Sequence, residues 1–181
     1  MLIIGFGHRK QRGKDTCADY LVKTRGFTKK SLADSLRVAA VAIFGIPMED
    51  FLDPMIKEQI NPKWNMSPRQ ILSLMGTEGM RNVFGEDIWV DSLFNSLDKD
   101  TKLLVVPDVR FPNEARAIKE RNGYVIRVDR EHEEDESKIH SSDLALLDYK
   151  DWDFIVDNNM SFDTTYYQID YIMRVLRKNK K

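Results

Sequence analysis

Short apolar runs bounded by glycine and polar loops alternate along this chain with longer stretches of helical period. Ile3 to Phe6 has the pattern of a buried strand ending at Gly7. A helical pattern follows from about Lys14 to Thr24, and Arg25-Gly26 closes it. Phe27 to Ala33 reads as a weak second strand. Asp34 is placed to cap a helix carrying Leu36, Val38, Ala39, Val41, Ala42 and Phe44, which Gly45-Ile46-Pro47 stops. Met48 to Met66, with prolines at 54 and 62, is irregular and reads as an insertion or a short helical hairpin. Ser67-Pro68 supplies a helix N-cap and first turn, predicting a helix to about Val83, with another from Glu86 to about Leu97. Leu103 to Val106 predicts a buried strand ending at Pro107-Asp108, and a helix around Asn113 to Arg121 closes at Asn122-Gly123. Strands at Tyr124 to Val128 and Phe154 to Val156 and an amphipathic helix at Phe162 to Leu176 complete the pattern. Strands alternating with helices predict an α/β fold: a doubly wound, mainly parallel sheet with helices on both faces. With neither repeat nor linker, one domain is expected over residues 1–181, with a helical insertion at about 46–98.

The composition narrows the class of partner. With 28 basic and 29 acidic residues the net charge is −1, so a local site for small anions is expected rather than stable nucleic-acid binding. Cys17 is the lone cysteine, which excludes an internal disulfide and fits a reducing compartment; its place on a helix suits a small buried thiol. No apolar run approaches the ~20 residues of a membrane span, and the N-terminus lacks a basic signal region. A cytoplasmic location is expected, the host cytoplasm for a viral source. His8, His132 and His140 have no metal-ligand spacing with one another or with Cys17.

The strand, the polar loop from His8 to Arg12 and the Gly13-Lys14-Asp15-Thr16 helix start together resemble a cradle for nucleotide phosphates. In such a cradle, N–H groups of the loop and of the helix N-terminus face the anion, and the lysine adds charge at the outer phosphates. Arg9, Lys10 and Arg12 would repel one another unless an anion belongs among them, and Gln11 lies between them. The spacing is irregular: five residues separate Gly7 from Gly13, which puts His8 at the usual first glycine position, and the hydroxyl is displaced to Thr16. The bland alternative is an ordinary helix start stabilised by Asp15.

Two further segments carry candidate chemistry. Arg69, Ser73, Gly76 and Thr77 fall on one face of a regular helix, a stripe suited to a polar ligand lying along it or to plain solvation. Close approach would explain a glycine that costs ~1 kcal/mol in mid-helix. Asp108 and Arg110 follow a buried strand, where ligands of open α/β sheets bind. There Asp108 can hold the water shell of Mg²⁺, Arg110 can stabilise a transferring phosphoryl group, and Glu114 can orient it. The alternative is a surface pair of Arg110 with Asp108 or Glu114.

The ordered set Gly13-Lys14-Asp15-Thr16, Leu32 to Arg37, Ser67-Pro68-Arg69-Gln70 with Gly76-Thr77-Glu78, Asp87 to Val90 and Asp108 to Glu114 resembles the bacteriophage-type deoxynucleoside monophosphate kinases. These belong to the P-loop kinase group, and the resemblance spans about Ile3 to Asp157. It implies a P-loop NTPase-type fold and transfer of the γ-phosphoryl of ATP to a deoxynucleoside monophosphate. Arg9 to Thr16 would then hold ATP, and Asp15, Thr16 and Asp108 would hold Mg²⁺. Lys14, Asp15, Asp108, Arg110 and Glu114 would form the reacting centre. Arg69, Gln70, Ser73, Gly76, Thr77 and Trp89 would line the acceptor site, with Asp34 and Arg37 as further candidates. Trp89 suits base stacking or a core position equally. The acidic run within about 129–140 is a candidate lid or a solvated charge run. Alternatives are a P-loop kinase for another small metabolite, and a nucleotide-binding module without catalysis. Partners expected are small molecules, with no membrane. Apolar residues between Met48 and Met66 suggest a homodimer.

Overall fold

The computed structural model describes residues 1–131 and 144–178. Among these the strands are β1 (Leu2–Gly7), β2 (Thr28–Lys29), β3 (Leu103–Val109), β4 (Tyr124–Asp129) and β5 (Phe154–Asp157). The helices are α1 (Lys14–Arg25), α2 (Asp34–Phe44), α3 (Met48–Leu52), α4 (Pro68–Ser73), α5 (Asn82–Phe84), α6 (Ile88–Asn95), α7 (Pro112–Glu120) and α8 (Phe162–Lys178). The candidate lid falls almost wholly on residues outside those described. Two compact units emerge. Met1–Ser31 with Asp98–Lys181 forms a sheet unit, and Leu32–Leu97 forms a helical unit that begins well before the insertion expected from residue 46. No described helix is long and apolar enough to cross a membrane.

In the sheet unit the strand order is β2-β3-β1-β4-β5, with every neighbouring pair parallel. A strand apolar at nearly every position must be covered on both faces, and β1 is such a strand. Ile4 and Phe6 face Cys17 and Leu21 of α1 and Ile169 and Ile172 of α8 in one core. On the other face α7 lies so close that a Cβ at Gly5 would come within 2.6 Å of Ile118 Cδ1. The doubly wound arrangement with helices on both faces is therefore present.

Two strand boundaries differ from those the pattern predicts. β3 does not stop at Pro107-Asp108 but continues to Val109. Its register with β1 slips between Gly5↔Val106 and Gly7↔Val109, so Pro107 and Asp108 together oppose Phe6. Proline has no N–H for a central ladder, and a bulge is where such a residue is tolerated. β2 shrinks to Thr28–Lys29 because it is an edge strand whose pairing with β3 is confined to Leu104 and Val105.

The helical unit has its own core of Ala40, Ile46, Phe51 and Ile71, closed by Trp64, whose indole N–H donates to the Phe44 carbonyl at 3.0 Å. The irregular stretch from Met48 resolves into α3, a 3₁₀ turn at Ile56–Glu58 and an antiparallel bridge between Asn61 and Met66. Asp34 is not a cap: Ala33 occupies the cap position of α2, and Asp34, one residue on, pairs with Arg37 at 2.9 Å. The helix predicted from Ser67 to Val83 is α-helical to Ser73, π-helical over Leu74–Arg81 and α-helical again from Asn82. Gly76 and Gly79 weaken the α-helical ladder there, and the Gly76 carbonyl accepts the Trp89 indole N–H at 2.9 Å.

Candidate functional site

The loop between β1 and α1 carries the most unusual backbone of the sheet unit. His8 has φ +97°, Gln11 +57° and Gly13 +92°, so two side-chain-bearing residues hold a conformation that favours glycine. His8 is the residue standing at the usual first glycine position. The Lys14 side chain is buried and its ammonium donates to the carbonyls of His8 (3.0 Å) and Arg9, folding back under the loop. Arg12 is buried as well. Thr16 is half-buried in the first turn of α1, while the Asp15 carboxylate is exposed and pairs with Lys29 at 2.9 Å. Asp19 also accepts from Lys29 at 2.8 Å. Burial alone would lower the Lys29 pKa, but the two carboxylates outweigh it and raise it.

At the end of the neighbouring strand, Asp108 accepts a short hydrogen bond from the Ser31 hydroxyl, which follows β2. The bulge at Pro107 gives Asp108 this place near the carboxyl edge. Glu114 is buried at the N-terminus of α7, where one carboxylate oxygen accepts from the backbone N–H of Arg110 (2.6 Å) and Phe111 (3.0 Å). It thus fixes the backbone that carries Arg110. Lys14, Asp108, Arg110 and Glu114 gather at the carboxyl ends of the adjacent strands β1 and β3, where doubly wound sheets bind ligands.

Side chains of β4 and of the segment before β5 complete the loop's support. Trp152 lies against Gly7, where an added Cβ would meet its ring at 2.7 Å, and stands edge-on to His8 with centroids 6.3 Å apart. His8 Nδ1 is 3.1 Å from Asp129 Oδ1. Burial first, then the Arg127 guanidinium, lowers the His8 pKa to about 4, although Asp129 opposes the shift. The ring is neutral at pH 7. Burial likewise pushes the Cys17 thiol up to about 12, leaving it a core residue.

In the helical unit the expected polar stripe is broken by the change of helix type. Arg69 and Gln70 lie in the first turn of α4. Gln70 accepts from the Ser67 N–H at 2.8 Å and gives its own N–H to Ser67 Oγ at 3.2 Å, a reciprocal cap. Arg69 pairs with Glu58 at 2.5 Å. Ser73 ends the α-helical part, and Gly76 and Thr77 follow in the π-helical turns, out of the predicted phase. The close approach to Gly76 comes from protein: a Cβ there would meet Leu36 Cδ2 at 2.7 Å. Trp89 is half-buried and anchored by its bond to Gly76.

Sequence reasoning missed Asn158, a buried residue just past β5 whose amide donates to the Arg12 carbonyl at 2.9 Å. Its position at the carboxyl end of a strand was the available signal. Arg81 was missed too: a buried arginine in the π-helical segment, it donates to the Glu86 carbonyl at 2.5 Å and steadies the turn after α5.

Residues 46–169 match the deoxynucleotide monophosphate kinase family. A protein of Acanthamoeba polyphaga mimivirus, provisionally named a deoxynucleotide monophosphate kinase, is 32% identical over 93% of this chain and 94% of its own length. The chain belongs to the deoxynucleotide monophosphate kinase family. A deoxynucleoside-5′-monophosphate kinase of Escherichia phage T5 is 45% identical over 58 residues, covering 32% of this chain and 23% of the phage protein. Among solved structures, a dephospho-CoA kinase from Campylobacter jejuni superposes with a TM-score of 0.52 at 17% identity, over 99% of this chain and 98% of its own. That likeness carries the fold, that of P-loop kinases, and family membership makes the chain a phosphotransferase.

Proposed function

We propose that this family member transfers the γ-phosphoryl group of ATP to the phosphate of a deoxynucleoside 5′-monophosphate, giving a deoxynucleoside diphosphate and ADP. The observation that carries the reading is the positive-φ loop that ends in buried Lys14 at the N-terminus of α1. Such a loop can offer N–H groups and a nearby cation to the phosphates of a nucleotide. Arg9, Lys10, Gln11, Arg12 and Gly13 would surround the phosphates, with Lys14 leaving its loop carbonyls to meet the outer ones.

Among the described residues no three His, Cys, Asp or Glu side chains form a metal cage. The donor set fits Mg²⁺ instead, a hard ion that takes few protein oxygens and keeps waters and phosphate oxygens. Thr16 and Asp108 would supply those oxygens, with Asp15 on the same turn as Thr16. When bound, the ion would neutralise charge developing between the outer phosphates. Arg110, held by Glu114 through its backbone, would stabilise the group in transfer. Because the transition state spreads charge over oxygens, alignment and cations suffice, and no general base is assigned.

Arg69, Gln70, Ser73, Thr77 and Trp89 are the acceptor-site residues of this reading, with Gly76 shaping the helix beneath them and Asp34 and Arg37 as a secondary pair. Arg69 already carries a carboxylate, Glu58, in the manner of a cation awaiting an anion. The reaction belongs in the cytoplasm, where both nucleotides occur and Cys17 stays reduced. Exposed Leu52, Met55 and Ile60 are the surface on which a homodimer would form, and molecular mass at micromolar concentration checks it.

The deciding experiment is ADP release with ATP, Mg²⁺ and each of the four common deoxynucleoside monophosphates, beside Lys14→Ala and Arg110→Ala. Acceptor-dependent turnover that collapses in both variants is expected. ATP binding without turnover on any acceptor would overturn the assignment.

A further inference from the structure

The strained loop is held by a part of the chain that is remote in sequence. Asn158 and Thr165, 6% and 0% exposed, form a continuous buried chain of hydrogen bonds. The Thr165 hydroxyl donates to Asn158 Oδ1 at 2.8 Å, and Asn158 Nδ2 donates to the Arg12 carbonyl at 2.9 Å. The backbone N–H of Asn158 is itself tied to the Asp129 carbonyl at 2.7 Å, so the amide is anchored to the end of β4. The amide's orientation follows from its partners, since the Arg12 carbonyl can only accept.

The geometry has a specific consequence for the next peptide. In a planar trans peptide the C=O and the following N–H point in opposite directions. Drawing the Arg12 carbonyl down to Asn158 therefore aims the Gly13 N–H away from it. Gly13 sits so closely over Asn158 that a Cβ would lie 2.2 Å from Nδ2, and its φ of +92° is itself a conformation that favours glycine. Asn158 thus fixes the peptide plane that begins the helix start at Lys14.

We propose that Asn158 is a positioning residue of the phosphate loop, oriented by Thr165, and that the pair presets the Gly13 N–H for ATP. The proposal rests on the reading that residues 9–16 hold the phosphates of ATP. It predicts an effect confined to one substrate. Loss of the brace weakens ATP binding and leaves the acceptor site untouched, whereas a purely structural role would lower stability and active fraction without distinguishing the two substrates.

The test uses the full chain with Thr165→Val, Thr165→Ser and Asn158→Ala, and Lys14→Ala beside them. KM is measured for ATP and for the acceptor, ATP affinity by calorimetry, and folding by circular dichroism and melting. Thr165→Val keeps the side-chain shape and removes the donor to Asn158. The expected result is an ATP Kd and KM raised about tenfold, with acceptor KM within twofold. Thr165→Ser should restore both, and Asn158→Ala should exceed Thr165→Val. If Asn158→Ala does not fold, Thr165→Val and Thr165→Ser decide alone. A folded Thr165→Val enzyme with ATP Kd within twofold of the parent, or with both KM values raised alike, would overturn the brace. Unchanged ATP binding in Lys14→Ala would overturn the loop's role itself, and the brace with it.

Discussion

The two units hold the charged groups of their candidate sites in opposite ways. In the sheet unit Lys14 and Glu114 are buried and bonded to backbone, so their positions are set by the fold. In the helical unit Arg37 and Arg69 pair with the carboxylates of Asp34 and Glu58, both well exposed to solvent. Exposed pairs contribute at most about 1 kcal/mol and exchange partners readily. In the proposed reading, the first group is preorganised for a ligand, and Arg37 and Arg69 rest on carboxylates that an incoming phosphate would replace.

This contrast can be broken in several places. Lys14→Ala should have the largest effect, a loss of about 10² to 10³ in kcat, the scale of removing one preorganised charge-stabilising donor. Steady-state kinetics checks it, and a loss under tenfold would mean the loop is not where charge develops. Glu114→Gln should cost about 2 kcal/mol of stability, since the carboxyl oxygen that accepts two backbone N–H bonds gives way to a weaker amide acceptor, and it should lower kcat by loosening the Arg110 backbone. Urea unfolding measures the first part.

Acid should act on the sheet unit through His8. Its pKa falls from 6.5 in the unfolded chain to about 4 in the fold, so the folded state resists the proton. Stability is therefore full above pH 6.5 and declines as pH falls toward 4, by roughly 3 kcal/mol from this residue. His8→Gly should flatten that decline and relieve the positive φ. Melting curves between pH 7 and 4 would show it, and an equally steep decline in His8→Gly would refute it.

On the helical side the expected effects are smaller. Arg69→Ala should raise acceptor KM about tenfold, the worth of one charge-assisted contact. Glu58→Gln should leave stability within 1 kcal/mol and lower acceptor KM, because it releases Arg69 from its carboxylate. A raised acceptor KM in Glu58→Gln would show that the pair serves as a fixed scaffold instead.

Legibility in the sequence followed the same division. The order of strands and helices was readable because β1 and β3 are apolar runs and α1 ends at Gly26, each signal lying within a few residues of its effect. The loop's charge and its glycine spacing were readable for the same reason, and even the awkward placement of His8 proved to be a real feature of the backbone. What escaped were relations between distant segments. Asn158 meets Arg12 across 146 residues, and no local pattern announces it. The stripe from Arg69 to Thr77 assumed a constant helical period, which the π-helical turns abolish. Asp34 looked like a cap because aspartate commonly is one, yet the helix begins one residue earlier than that role requires.

The extra residue at Pro107 places the sheet's regularity and its chemistry in competition. A chain lacking Pro107 would give β1 and β3 an unbroken ladder, and by ordinary criteria a sounder sheet. Asp108 would then stand alone opposite Phe6 and lose the bulged position from which it meets Ser31, while Val109 would keep its place opposite Gly7. Selection for robustness alone would favour the deletion, and selection for a carboxylate at that edge would forbid it. The irregularity thus places one carboxylate, and deletion of Pro107 should cost the contact of Asp108 with Ser31 while leaving Val109 in register with Gly7.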